Sequence, residues 1–252
     1  MISAEDLKVY AKTFKMKSWQ IEKEYFQHLL LSLIYSRTSA LLFKGGTAIK
    51  KAYGLKRFSE DLDFTQISDV DCDALLGEVS KILFSKFGYV NTLKKIKVKE
   101  QIGSGYRFSI KGPLAEQSEL GICHIYVDVS RRETPKTKEV VAIKSVYPDL
   151  PDYEVIIMSR DEIVAEKIRA ILMRDRPRDL YDLHHLLLQD ISINYDWVND
   201  KMRYYNKSFS KDEFLDCLEK YRKLWKELPH LIADVPEFDE VLKFIHLKFT
   251  PK

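Results

Sequence analysis

The stretch RFSEDLDF, Arg57 to Phe64, sets two aspartates two positions apart in a run whose pattern is otherwise that of a β-strand. Leu62 and Phe64 alternate with Asp61 and Asp63, a period of two that sends apolar side chains to one face and carboxylates to the other. Aspartate is poorly suited to strands. Residues two apart on a strand lie about 6–7 Å from each other, and two carboxylates at that distance repel by about 3 kcal/mol at an effective dielectric near 20. A chain tolerates this when a cation sits between the charges or when each carboxylate has its own basic partner. The stretch predicts a half-buried strand with an acidic face.

Outward from it, ALLFKGG reads as a short buried strand or helix end halted by Gly45 and Gly46, and TAIKKAYG as a short helix closed by Gly54. Before that, the chain to about Tyr35 is helical in pattern, with Leu29, Leu30, Ile34 and Tyr35 at helix spacing. CDALLGEVSKILFSKFG reads as an amphipathic helix whose stripe is Leu75, Leu76, Val79, Ile82, Leu83 and Phe87, ended by Gly88. TLKKIKVKE, YRFSIKG, CHIYVDVS and KEVVAIKSV follow as β-rich runs, with IGSGY expected to be the hairpin turn between the first two. After YEVIIMS the texture turns helical. The expected organisation is an α/β body over residues 1–157 and a helical region over residues 158–252.

Bulk properties narrow the classes. The 252 residues, 45% apolar and 31% charged, describe a globular protein with a sizeable core rather than a disordered chain. A net charge of +3 is too small to argue for nucleic acid by itself, so its distribution matters more. Three scattered cysteines without C-x-x-C spacing suit a reducing compartment and offer no disulfide framework or zinc site. The N-terminus has no signal-like apolar stretch, and the longest apolar run, LLLSLIY, falls short of a membrane span. A cytoplasmic location is expected.

A third carboxylate, Asp128, lies in IYVDVS between apolar strand residues. If its strand neighbours the Asp61/Asp63 strand, three carboxylates converge, a hard oxygen set suited to Mg²⁺ or Mn²⁺ with room left for substrate phosphates. The alternative is that these aspartates are solvent-exposed or paired with Arg57 and lysines. Gly45, Gly46 and Thr47 open a helix, where bare backbone amides and the helix N-terminus favour phosphate. An ordinary turn with an N-cap by Thr47 fits the same letters.

In SRDEIVAEKIRAILMR, Ser159 and Glu162 have capping-box spacing, and Lys167 stands amid Ile163, Val164, Ala170 and Ile171 on an apolar helix face. Either the lysine snorkels to the rim or it reaches a cleft. RDRPRDLYDLHHLL restarts a helix at Pro177 with Asp179 and Asp182 three apart; dipole compensation, or pairing of Arg178 with Asp182, accounts for them equally. The basic groups Lys94, Lys95, Lys97, Lys99 and Arg131, Arg132, Arg174, Arg176, Arg178 suit either an RNA backbone or plain solvation. NYDWVNDKMRYYNKSF suits base stacking or helix packing, with Tyr195, Val198 and Met202 on one side.

Taken together, FKGGTAIKKAYGLKRFSEDLDF, YVDVS and DEIVAEKIRAILMRDRPRDLYDL resemble the AbiEii/MenT-type nucleotidyltransferases, toxins of abortive-infection and type IV toxin–antitoxin systems within the DNA polymerase β-like superfamily. The resemblance implies an α+β fold, a mixed sheet flanked by helices with a helical C-terminal region. It also implies transfer of a nucleotide from an NTP to an acceptor hydroxyl, with a tRNA 3′ end as a possible RNA acceptor and a separately encoded antitoxin as partner. In that reading Asp61, Asp63 and Asp128 hold Mg²⁺ or Mn²⁺. Lys44, Gly45, Gly46, Thr47, Arg57, Ser59 and Lys167 hold the triphosphate, and Asp179 is a further catalytic-site candidate. The competing expectation is a nucleotide- or RNA-binding protein of the same fold without turnover.

Overall fold

The acidic stretch becomes a central strand of a seven-stranded mixed sheet. In the computed structural model, which describes residues 1–96, 102–115 and 121–250, the strands are β1 (Leu41–Lys44), β2 (Leu62–Gln66), β3 (Asn91–Ile96), β4 (Gly103–Ile110), β5 (Cys123–Ser130), β6 (Glu139–Ile143) and β7 (Tyr153–Ile157). Their order is β3-β4-β5-β2-β1-β7-β6, with β2–β5 and β1–β7 parallel and the other neighbours antiparallel. The α+β expectation holds.

Two compact units divide the chain. The first comprises Met1–Ala48, Glu60–Thr134 and Lys138–Ile157; the second comprises Ile49–Ser59, Pro135–Thr137 and Met158–Lys252.

In the first unit α1 (Ala4–Phe14) and α2 (Ser18–Tyr35) precede the sheet, and α4 (Cys72–Ser85) follows β2. Helix α2 is buried on nearly every side, placing Ile21, Tyr25, Phe26, Leu29, Leu30, Leu31 and Ile34 in the core together with the polar Glu22, Gln27 and His28. It packs against α1, α4, β5 and β7. The Tyr35 hydroxyl reaches the sheet through Leu41 O at 3.0 Å and Ile156 O at 2.9 Å. Phe64 of β2 meets Tyr35 and Phe43 ring to ring, at 6.3 and 5.4 Å between centroids. The apolar face of β2 therefore points into the core, so the alternate residues point the other way.

Helix α3 (Gly45–Tyr53) starts at once from β1, without a loop. Thr47 therefore lies inside the first turn and is not the N-cap. A second correction concerns IGSGY: Gly103, Ser104 and Gly105 pair with Ser130, Val129 and Asp128 inside β4 and are not a hairpin turn. Tyr106 and Phe108 are buried in the same strand, and ladder hydrogen bonds plus this burial outweigh the glycine turn signal. Lys97 and Lys99 lie outside the described residues.

The second unit holds helices α5 (Arg160–Met173), α6 (Pro177–Leu187), α7 (Tyr195–Arg203), α8 (Lys211–Asp216), α9 (Tyr221–Leu224) and α10 (Phe238–Phe249), with tighter 3₁₀ turns at Cys217–Lys220 and Trp225–His230. Ser159 caps α5 as expected, accepting from Glu162 N at 3.4 Å. The Glu162 carboxylate does not close the capping box. It is fully buried and takes Lys201 Nζ at 2.7 Å plus the Lys136 and Thr137 amides at 2.9 Å each. Those bonds hold residues 135–137 to this unit, and a buried carboxylate with four donors outweighs one cap. Val198 and Met202 are buried while Tyr195 stacks on Phe209 at 5.8 Å, so the aromatic segment packs its own helices. Among the described residues no helix is long and apolar enough to cross a membrane.

Candidate active site

Strand register decides the acidic face. Strands β2 and β5 run parallel with Leu62 opposite Val127, Asp63 opposite Asp128 and Phe64 opposite Val129. Leu62, Phe64, Val127 and Val129 are buried, so the pleat turns Asp63 and Asp128 together onto the opposite face. Asp61 stands one residue before β2, half-buried like Asp63. Among the described residues no set of three His, Cys, Asp or Glu side chains stands together as a ready cation cage. What the register brings together is the pair Asp63 and Asp128.

Asp128 is the more informative of the two. Asp128 is exposed on the strand face, and partial desolvation by its surroundings, then the Asp63 charge, push its carboxyl above the ordinary aspartate value. Among the described residues its side chain makes no hydrogen bond or ion pair. An unpartnered carboxylate beside a second carboxylate is an arrangement that a divalent cation relieves. The donor set therefore fits Mg²⁺ or Mn²⁺, which take a few protein carboxylates and fill remaining positions with water and phosphate oxygens.

The strand before the helix brings a backbone turn to the same place. Lys44 is the register partner of Asp63. Gly45 follows with φ +77°, and a Cβ there would fall on the Asp63 carboxylate. Only glycine combines that left-handed backbone with so close an approach. Thr47 is fully buried and donates its hydroxyl to Asp61 O at 2.6 Å, which ties the first turn of α3 to the residue before β2. Lys44, Gly45, Gly46, Thr47, Asp61, Asp63 and Asp128 all belong to the first unit.

A family model for the nucleotidyl transferase AbiEii toxin of type IV toxin–antitoxin systems matches residues 33–243. The chain belongs to the AbiEii family. It is thus a nucleotidyltransferase toxin of the type IV class. Among solved structures it is similar to MenT4, the nucleotidyltransferase toxin Rv2826c of Mycobacterium tuberculosis, at 18% identity and TM-score 0.63, covering 97% of this chain and 88% of that one. It is also similar to JHP933 from Helicobacter pylori, at 21% identity and TM-score 0.55, covering 91% of this chain and 90% of that one. At such identities the likeness speaks for the fold. No curated protein matches the sequence.

The other expected site residues of this AbiEii chain, Arg57, Ser59, Lys167 and Asp179, lie in the second unit. Three of them meet in one buried chain of ions. Arg57 forks onto Asp182 at 2.6 and 2.7 Å and donates to Phe58 O at 2.9 Å. Lys167 bridges Asp182 at 2.6 Å and Asp179 at 2.9 Å. Arg174 closes the far end with a second fork onto Asp179, at 2.7 and 3.0 Å. Ser59 sits half-buried in the loop after α3.

Burial alone would favour the neutral forms of all these groups. The opposite charges overturn it: Arg57 and Lys167 are held above their usual values by Asp182 and Asp179, and both aspartates are held below theirs. Lys167 does not snorkel to the rim: it is 6% exposed and held between two carboxylates. The partner suggested by sequence for Asp182, Arg178, is replaced by Arg57, which is 125 positions away. Sequence spacing alone had no signal for that pairing.

Proposed function

We propose that the Asp63/Asp128 face is the catalytic centre of this nucleotidyltransferase, moving an NMP from an NTP to an acceptor hydroxyl of RNA, with a tRNA 3′ end as the first acceptor to test. The supporting observation is the register that sets an unpartnered Asp128 beside Asp63, next to a glycine turn opening α3. Asp63 and Asp128, with Asp61 one residue before the strand, would hold Mg²⁺ or Mn²⁺, which supplies charge neutralisation for the phosphates.

In this reading the Gly45 and Gly46 amides and Lys44 receive the triphosphate, where helix N-terminal N–H groups favour anions. Thr47 keeps that turn in place through Asp61 O. Asp128 accepts the acceptor hydroxyl's proton. The hydroxyl oxygen forms the new bond to the α-phosphorus as the bond to pyrophosphate breaks, and pyrophosphate leaves. Lys167 and Asp179 enter by their motif: the resemblance assigns Lys167 to the triphosphate, and within the helical unit Asp179 and Asp182 fix its ammonium. Arg57 acts as a positioning residue by holding Asp182. The reaction is placed in the cytoplasm, with a cognate antitoxin as the regulating partner.

The test is transfer of label from each α-labelled NTP to total RNA in the presence of Mg²⁺. Asp63→Asn is expected to lower the rate at least about 100-fold while leaving the thermal melt near wild type. Transfer at the wild-type rate in a folded Asp63→Asn protein would refute the assignment.

A further inference from the structure

Within the helical unit a cavity of about 410 Å³ is lined by Arg176, Pro177, Arg178, Glu227, Leu228, His230 and Leu231. Its wall joins the start of α6 to the 3₁₀ turn Trp225–His230, and its lining residue Leu231 accepts at its carbonyl from Phe58 N at 2.8 Å. The transferase centre described above uses none of these residues.

The basic groups here are not arranged like those of the neighbouring ion chain. Arg57 and Arg174 spend their forks on Asp182 and Asp179. Arg176 and Arg178, among the described residues, make no side-chain hydrogen bond or ion pair. Arg178 is half-buried, and desolvation followed by the Arg57 and Arg176 charges lowers its guanidinium from the ordinary value. Asp182 and Asp179 thus serve Arg57 and Arg174, and Glu227 is the carboxylate left on the cavity wall for Arg176 and Arg178. Glu227 is the acidic residue on the wall, exposed and facing a cavity that also holds Arg176, Arg178 and His230.

We infer that this cavity is a phosphate-binding subsite, in which Arg178 and Arg176 fork onto a phosphate group and His230 donates a further hydrogen bond. Guanidinium groups match phosphate geometry in pairs of N–H bonds. The apolar side of the cavity, Pro177, Leu228 and Leu231, suits a sugar or base attached to that phosphate. Two sources share this chemistry: a phosphodiester of an RNA strand and the phosphates of a free nucleotide. The inference stands apart from the transferase assignment, since a cavity can bind phosphate whatever Asp63 does.

Binding of the full chain to a short fluorescein-labelled single-stranded RNA is read by anisotropy, and to each NTP by equilibrium dialysis. Arg178→Gln and Arg176→Gln are compared with wild type, with Arg178→Lys as the conservative variant. Because Arg176 is exposed, its variant keeps the fold even if Arg178→Gln melts early. RNA affinity falling about tenfold, with the salt slope reduced by about one and NTP affinity kept, assigns the phosphodiester. NTP affinity falling with RNA affinity kept assigns the free nucleotide, and losses in both assign any phosphate. Arg178→Lys is expected to fall between, keeping charge but losing the fork. Unchanged affinity for both probes in folded Arg176→Gln and Arg178→Gln proteins overturns the subsite. Asp63→Asn separates the two assignments, since it is expected to lose transfer and keep RNA binding.

Discussion

A single glycine carries much of the geometry of the acidic face. Gly45 takes φ +77° at the junction of β1 and α3, with the Asp63 carboxylate where its Cβ would be. Any side chain there meets both a strained backbone and a charged oxygen. Gly45→Ala is expected to cost about 1–3 kcal/mol of stability and to displace Asp63, so that transfer falls by more than the loss of folded protein explains. Urea melts alongside transfer rates check this, and full activity in the variant would remove Gly45 from the site. The letters GG announced a turn. That the second requirement was closeness to Asp63 came only from the pairing of Lys44 with Asp63.

At the scale of elements, α5, α6 and the loop after α3 are joined by the ion chain Arg57–Asp182–Lys167–Asp179–Arg174. Such a chain is marginal against an apolar core but costly to break, because the survivors are buried charges without a partner. Asp182→Ala strands both Arg57 and Lys167 and is expected to destabilise the helical unit by about 3–5 kcal/mol. Chemical denaturation of that variant checks it, with a loss under about 1 kcal/mol showing that water had reached the pair. The amphipathic pattern of α5 had shown a charged residue in an apolar stripe, which is a sound signal that a partner exists. It could not name one, since hydrogen bonding between distant segments leaves no spacing to read.

For the molecule as a whole, the buried carboxyls of the two units respond to pH in opposite senses. In the helical unit Asp179 and Asp182 sit below their usual values. They contribute stability that is complete above the ordinary aspartate range and is lost as pH falls through their folded values. In the sheet unit Glu22 is 2% exposed, and burial pushes its carboxyl up to about 7, against a small opposing effect from Leu114 N. A raised carboxyl works the other way. The unfolded chain gives up that proton first, so stability falls as pH rises from the ordinary glutamate value of 4.5 to about 7 and is level above. Glu22→Gln keeps the acceptor for Leu114 N and removes the titration. It is expected to stabilise by up to about 3 kcal/mol at pH 8 and by little at pH 4. Thermal melts at the two pH values check this, and a gain confined to acid would reverse the sign.

The sequence by itself determined the alternation that makes β2 apolar on one face and acidic on the other, the helix stripes, and the motif blocks that mark an AbiEii nucleotidyltransferase. These are local, repeating along the chain with the period of the backbone. Only the tertiary structure decided that β5 lies parallel to β2 in the register setting Asp63 beside Asp128, that Arg57 answers Asp182, and that residues 49–59 and 135–137 join the helical unit. Those outcomes follow from which distant segments bury one another's apolar faces and buried charges, a choice made by packing the whole chain.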